Sequence, residues 1–151
     1  DSQNSSEVWA GFRVARRAKP LKVCMKNLDG NVVLTGKHDG YRRLSRDLFH
    51  TRTWIASDYM LQVVDEVEGK FKLAKVSWHL HPDIQITIIE KSEIKLKLLS
   101  GEIIILKFSG VTFEVLPSTW HPEFGKSIAN QKICLTLNQK KAVTTICWKK
   151  L

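Results

Sequence analysis

Five histidines occur in the chain, and four of them stand beside basic or aromatic residues in patterns that could bind an anion or a metal ion. His79 and His81 are separated by one residue, so on a strand both side chains point to one face about 7 Å apart. Two imidazoles at that distance can share a metal ion or an anion. Glu90, the next carboxylate of a cupin-like pattern, follows too late along the chain. Three interpretations stay open: a metal site, a hydrogen-bonded structural pair and part of a carbohydrate groove.

A second stretch places His38 and Tyr41 beside the cations Lys37, Arg42 and Arg43. Lysine and arginine bind the carboxylate of a uronic acid, and an exposed aromatic ring stacks on the face of a sugar. The same residues also fit a plain turn followed by solvated arginines, because Asp-Gly is a turn dipeptide. The sequence favours neither alternative.

A third stretch alternates His50, Arg52 and Trp54, which share one face of a strand. This combination suits an acidic sugar, although a tryptophan is more often part of a hydrophobic core. The pattern 120–125 is a loop with two aromatic residues and indicates a packed corner in preference to a site. We therefore take His38, Tyr41, Arg52, His79 and His81 as candidate substrate-binding residues. No nucleophile motif, phosphate loop or Ser/His/Asp order occurs, so no catalytic residue and no metal site is predicted in this chain.

The charge of the chain indicates an anionic partner. Lysine and arginine number 24 against 15 acidic residues, which gives a net charge of +9 and a pI of about 9.6. Nucleic acid, an acidic membrane surface and an acidic polysaccharide all fit, as does a solvated basic face without a partner. No RNA-binding signature or helix-turn-helix pattern occurs, so nucleic acid is not expected. No apolar run approaches the length of a membrane span.

The elements that must position these residues are strands. Apolar and polar residues alternate through most of the chain, and short turn signals such as Asp29-Gly30 and Ser109-Gly110 separate the runs. This predicts an all-β fold, an antiparallel β-sandwich of about a dozen short strands with little helix. Residues 7–151 are expected to form a single domain after a frayed segment at 1–6. The three cysteines have neither disulfide nor zinc spacing.

Five segments together resemble the C-terminal β-domain of the heparinase II/III-like family. They are 6–18 (SEVWAGFRVARRA), 38–41 (HDGY), 50–52 (HTR), 78–83 (WHLHPD) and 121–125 (HPEFG). Each is weak alone, but their order and spacing agree over nearly the whole chain. The resemblance identifies the chain as a fragment of a larger protein with an N-terminal α/α toroid.

The resemblance implies that the parent protein is a polysaccharide lyase that acts by β-elimination on uronic-acid glycans. The family's acid–base residues lie in the toroid and in strands upstream, and so do its structural zinc ligands. We therefore expect this chain to be inactive alone, to hold no cofactor, and to support the cleft while contacting acidic polysaccharide. The alternatives are a free-standing carbohydrate-binding module and a purely structural β-domain.

Two further expectations follow from the resemblance. Separation from the toroid should leave an apolar patch or an open sheet edge and therefore weak self-association. The family suggests the periplasm or cell envelope, although the sequence itself does not indicate a compartment.

Overall fold

The computed structural model describes residues 4–9 and 13–148. Nearly all of the elements in these ranges are strands, and the helical element among them is one 3₁₀ turn at Gly40–Arg43. The strand pairings within each of the two units of the chain are antiparallel. The prediction of an all-β antiparallel fold with little helix is confirmed. Residues 1–3 of the expected frayed segment lie outside the described residues.

The chain divides into two compact units, Asp1–Lys72 and Leu73–Leu151. The described part of the first unit holds a short pair, β1 and β2, and four longer strands that pair in chain order, β3-β4-β5-β6. The bounds are β1 Glu7–Val8, β2 Val14–Ala15, β3 Pro20–Leu28, β4 Asn31–His38, β5 Phe49–Ser57 and β6 Met60–Glu68. The Asp29-Gly30 turn joins β3 to β4, and both residues have the positive φ that a tight hairpin requires.

One face of this first unit changes from exposed to buried across its strands. Met25 on β3 is opposite Leu34 on β4, which is opposite Trp54 on β5, and Trp54 is opposite Val63 on β6. Met25 is 71% exposed, whereas Val63 is 1% exposed. In the described residues β3 pairs with β4 alone, so its outer edge is open. Met25, on the edge strand, is therefore exposed to solvent, whereas Val63, on the strand of this unit farthest from the edge, is buried.

The second unit contains two groups of paired strands around a hydrophobic core. Four strands pair in the order β13-β10-β9-β8, and a three-stranded sheet has the order β11-β12-β7. The bounds are β7 Lys75–His79, β8 Gln85–Ile89, β9 Glu93–Lys97, β10 Ile103–Ser109, β11 Val111–Trp120, β12 Ile128–Leu137 and β13 Lys141–Trp148.

Residues from both strand groups build the core of the second unit. Ile94 on β9 and Leu135 on β12 are fully buried, and the rings of Phe108 on β10 and Phe113 on β11 lie 5.0 Å apart. Burial of such side chains contributes about 1.5–3 kcal/mol each. The second unit therefore has the face-to-face sheet packing of a sandwich.

No helix in the described residues has the length and apolar character needed to cross a membrane.

Candidate functional site

A polar network lies on the first unit, at the end of β4 and β5 nearest the 3₁₀ turn. His38 on β4 is directly opposite His50 on β5, so their side chains share a face. Nε2 of His38 lies 3.0 Å from Nδ1 of His50. At the other side of His38, Nδ1 accepts a hydrogen bond of 3.2 Å from the backbone N–H of Gly40. Both ring nitrogens of His38 are thus engaged.

The network ends at a buried carboxylate on β6. Nε2 of His50 donates to Oδ1 of Asp65 at 2.7 Å. Arg52 donates from Nε to the same oxygen at 2.7 Å and from Nη2 to Oδ2 at 3.1 Å, which is a bidentate pair. The Asp65 side chain is 3% exposed. A carboxylate so deeply buried requires such partners, because an unpaired buried charge is strongly unfavourable.

The environment shifts three pKa values in this network. Burial lowers the pKa of His38, and the neighbouring His50 and Arg52 lower it further, while Asp39 opposes them. Burial would raise the pKa of Asp65, but the hydrogen bonds from His50 and Arg52 outweigh that effect and leave it below its ordinary value. Burial raises the pKa of Tyr41 against the opposing charges of Arg43 and Arg52. The environment therefore favours a neutral His38 and an ionised Asp65.

The network does not fit a metal ion. His38, His50 and Asp65 are joined in series, and both nitrogens of His50 are already engaged by its two neighbours. A metal site needs donor atoms that converge on one point. No group of three or more potential ligands in residues 4–9 and 13–148 has that arrangement.

The cations around the network already have partners within the protein. Lys37 contacts the carboxylate of Glu68 at 2.7 Å, and its ammonium lies 4.7 Å from the ring centre of Phe49. Arg42 donates from Nε to the backbone carbonyl of Arg46. Arg43 donates to the backbone carbonyls of Ser5 and Asn4. An anionic ligand would have to compete with these contacts.

A second cluster, which we call the β7–β11 surface, consists of His79, His81, Ser118 and Trp120 on the second unit. Nδ1 of His79 lies 3.2 Å from Oγ of Ser118. The rings of His81 and Trp120 meet edge to face with centres 4.5 Å apart. The His81 side chain is 46% exposed and its Nδ1 accepts from the backbone N–H of Asp83. Histidine and a packed aromatic ring at the surface can contact a sugar.

The structure thus separates the five candidate residues into two groups. His38, Tyr41 and Arg52 come together on the first unit, where the Tyr41 ring centre is 5.5 Å from that of His38. His79 and His81 belong to the second unit. Substrate binding by any of the five stays a prediction.

The candidate residues did not include the partner that organises the first group, Asp65. A signal for it was present in the sequence, because Asp65 interrupts the apolar face formed by Leu61, Val63 and Val67. A carboxylate on a buried face must be paired. His50 and Arg52, which alternate along the neighbouring strand, are the partners of this carboxylate.

Comparisons with known proteins agree with this architecture. The family described as Heparinase II/III-like, C-terminal, matches residues 1–149. No curated protein sequence matches significantly.

Solved structures of lyases share the fold. Heparan sulfate lyase HepC from Pedobacter heparinus is similar with a TM-score of 0.69 at 14% identity. The Heparinase III-BT4657 gene product is similar with a TM-score of 0.71 at 14% identity. In both comparisons the alignment covers 89% of this chain and 22% of the other, so the chain spans less than a quarter of these relatives.

Proposed function

Because the chain belongs to the heparinase II/III-like family as its C-terminal domain, we propose that it is the β-domain of a polysaccharide lyase. The observation that carries the proposal is the family match over residues 1–149 of the 151-residue chain. In the proposed reaction a uronate carboxylate is neutralised, the proton at C5 is removed, and the C4 glycosidic oxygen leaves to give an unsaturated sugar. The toroid of the parent protein and the strands upstream of this chain would supply the acid and the base.

Within that reaction we assign this chain a supporting and binding role. A net charge of +9 favours association with an acidic glycan. The β7–β11 surface is the better candidate for direct contact, since His81 and Trp120 form an edge-to-face pair and nearly half of the His81 side chain is exposed. His38 and Arg52 use their polar atoms within the network and would position neighbouring groups. We assign no cofactor to the chain.

A residue-resolved NMR titration with a uronate-containing tetrasaccharide tests the binding role. We expect saturable shifts at His79, His81 and Trp120 that persist when salt is raised, and no shifts with a neutral tetrasaccharide. His81→Ala should weaken the affinity several-fold, whereas Lys140→Ala, in the hairpin before β13, should change it little. Diffuse shifts that disappear in salt would refute the assignment and favour a purely structural β-domain.

The lyase assignment is tested separately, in the intact parent protein. Degradation of a uronate glycan should generate the ultraviolet absorbance of the unsaturated product. A parent protein that leaves all such glycans intact would contradict the proposed reaction without affecting the NMR result.

We also propose that the open β3 edge contacts the rest of the parent protein. Val23 and Met25 are 69% and 71% exposed on neighbouring positions of one face. The chain alone should then self-associate weakly, which sedimentation at rising concentration measures. Val23→Lys should reduce the association, while Leu99→Lys, at a site in the second unit that is 79% exposed, should not. A monomer at all concentrations would contradict this proposal.

A further inference from the structure

The histidine network has a fixed proton arrangement because one end of it is a backbone amide. The N–H of Gly40 can only donate, so Nδ1 of His38 carries no proton. His38 must then carry its proton on Nε2 and donate it to Nδ1 of His50. His50 in turn carries its proton on Nε2 and donates it to Asp65. Every hydrogen bond in the series holds one proton, and both histidines are neutral.

One additional proton has a single place to go. If the charge stays on His38, the new proton occupies Nδ1. If it moves to His50, the His50 ring donates from Nδ1 to Nε2 of His38, and His38 must again carry a proton on Nδ1. Protonation of Asp65 is opposed by the two hydrogen bonds from Arg52. In either case the Gly40 amide loses its acceptor and faces another N–H.

Gly40 is also the point where the 3₁₀ turn holds the N-terminal segment. A Cβ on Gly40 would lie 2.2 Å from the carbonyl oxygen of Ser5 and 2.7 Å from Cβ of Ala18, which leaves no room between them. Arg43, at the end of the turn, donates to the carbonyls of Asn4 and Ser5. A shift of the 3₁₀ turn would therefore disturb its contacts with Asn4, Ser5 and Ala18.

Two neighbouring hydrogen bonds add to these contacts. Ser6 accepts from the backbone N–H of Ala18 through Oγ, and Asp39 accepts from the N–H of Lys19 through Oδ1. These contacts join the turn, residues 4–6 and residues 18–19 into one clasp. The histidine network is joined to this clasp by the hydrogen bond from the Gly40 N–H to Nδ1 of His38.

We propose that protonation of the His38–His50 network opens this clasp and releases the Asn4–Val8 segment from the 3₁₀ turn. The charged and titratable groups around His38 and its network partners are Asp39 next to it, Tyr41 and Arg43 in the 3₁₀ turn, His50 and Arg52 on β5, and Asp65 on β6. The clasp is closed when both rings are neutral and opens as the pH falls.

The electrostatics place the transition on the acidic side of neutrality. Burial lowers the pKa of His38 below the ordinary histidine value of about 6.5, with His50 and Arg52 acting in the same direction and Asp39 against it. The closed state therefore persists through neutral pH, and opening begins only below that ordinary value. An acidic compartment or an acidic glycan surface would supply such conditions.

Backbone hydrogen exchange of the full 151-residue chain, followed by NMR from about pH 8 to about pH 5, tests the proposal. After correction for intrinsic exchange, protection at Gly40, Ala18 and Lys19 should fall by about tenfold or more with one midpoint. Protection at Ile133 and Leu135 in the second unit should stay constant. The ¹⁵N shift of the His38 Nδ1 atom should report protonation with the same midpoint.

Two substitutions sharpen the test. In His38→Asn the side-chain oxygen occupies the place of Nδ1 and does not titrate, so Gly40 should stay protected at all pH values. In His38→Gln the acceptor near Gly40 is lost, and protection should be low throughout. Constant protection of Gly40 in the unmodified chain would overturn the proposal. So would a ¹⁵N midpoint of His38 that differs from the exchange midpoint, a result that needs no variant to fold.

Discussion

In the first unit both ring nitrogens of His50 form hydrogen bonds with other side chains, whereas in the second unit nearly half of the His81 side chain is exposed to solvent. Both residues lie at or beside strand ends, and each has a carboxylate nearby, Asp65 or Asp83. The difference is burial. The Asp65 side chain is 3% exposed and the Asp83 side chain 52% exposed, so only the first carboxylate must be neutralised by the protein itself.

That contrast separates histidines that hold a buried charge from histidines that stay accessible, a distinction that residue type alone does not make. Where a buried charge needs partners, the polar atoms of histidine and arginine are engaged by it, and a ligand would have to compete for them. Where the carboxylate is solvated, the neighbouring imidazole stays accessible. The two clusters therefore make different predictions for stability and for binding.

The largest expected effect comes from Asp65→Asn. The substitution removes the charge that Arg52 and His50 share, so the partly buried Arg52 guanidinium loses this carboxylate, and the free energy of unfolding should fall by about 3 kcal/mol. Urea denaturation measures the loss. The matched substitution Asp83→Asn, at an exposed pair, should cost about 0.5 kcal/mol or less. Equal losses at the two positions would show that burial does not distinguish the clusters.

Acid should destabilise the first unit through the same carboxylate. The pKa of Asp65 is lower in the folded chain than its ordinary value of about 3.9, so its contribution is complete above that value. It is lost as the pH falls through the lower folded value, because the unfolded chain then binds more protons. Urea midpoints recorded from about pH 5 to about pH 2 should show the loss, and Asp65→Asn should reduce it. An unchanged profile in the variant would assign acid sensitivity to other carboxylates.

Arg52→Lys should have a smaller effect. Lysine keeps the charge but cannot donate in the bidentate geometry that Arg52 makes with both oxygens of Asp65, so about 1 kcal/mol should be lost. Thermal and urea unfolding measure it. A loss as large as that of Asp65→Asn would mean that geometry, and not charge, dominates the pair.

The smallest expected effect on stability is that of His79→Ala on the β7–β11 surface. Its exposed contact with Ser118 is replaced by water, so the free energy of unfolding should change by about 0.5 kcal/mol or less. If His79 instead proves as costly as Asp65, the surface is structural and the proposed glycan contact loses its basis.

The fold could be predicted from the sequence because its signals are local. Alternation along 60–67 or 94–98 reports which face is buried, and Asp29-Gly30 specifies a tight hairpin between two strands. The candidate site was predicted only in part. His50 and Arg52 share a face by period alone, but the identity of their partner depends on the register that sets Arg52 opposite Asp65. Register is a property of two paired strands, and the sequence of one strand does not determine it.

The 3₁₀ turn shows the same limit. The segment 40–43 carries a turn signal, yet its contacts with Asn4 and Ser5 join residues nearly forty positions apart. Such contacts depend on how the chain returns to itself, which local patterns do not encode. The burial that lowers the pKa of His38 has the same origin.

The open edge of β3 favours some pairing strands over others according to their charge. A second copy laid antiparallel against this edge and centred on Cys24 would set Lys22 directly opposite Lys26 of the copy, twice in each pair. Like charges at directly opposed positions destabilise a sheet. A strand with acidic residues at those two positions would instead gain attraction from both lysines. In that register the edge repels its own sequence and favours a complementary one, which is why the self-association expected of the chain alone is weak.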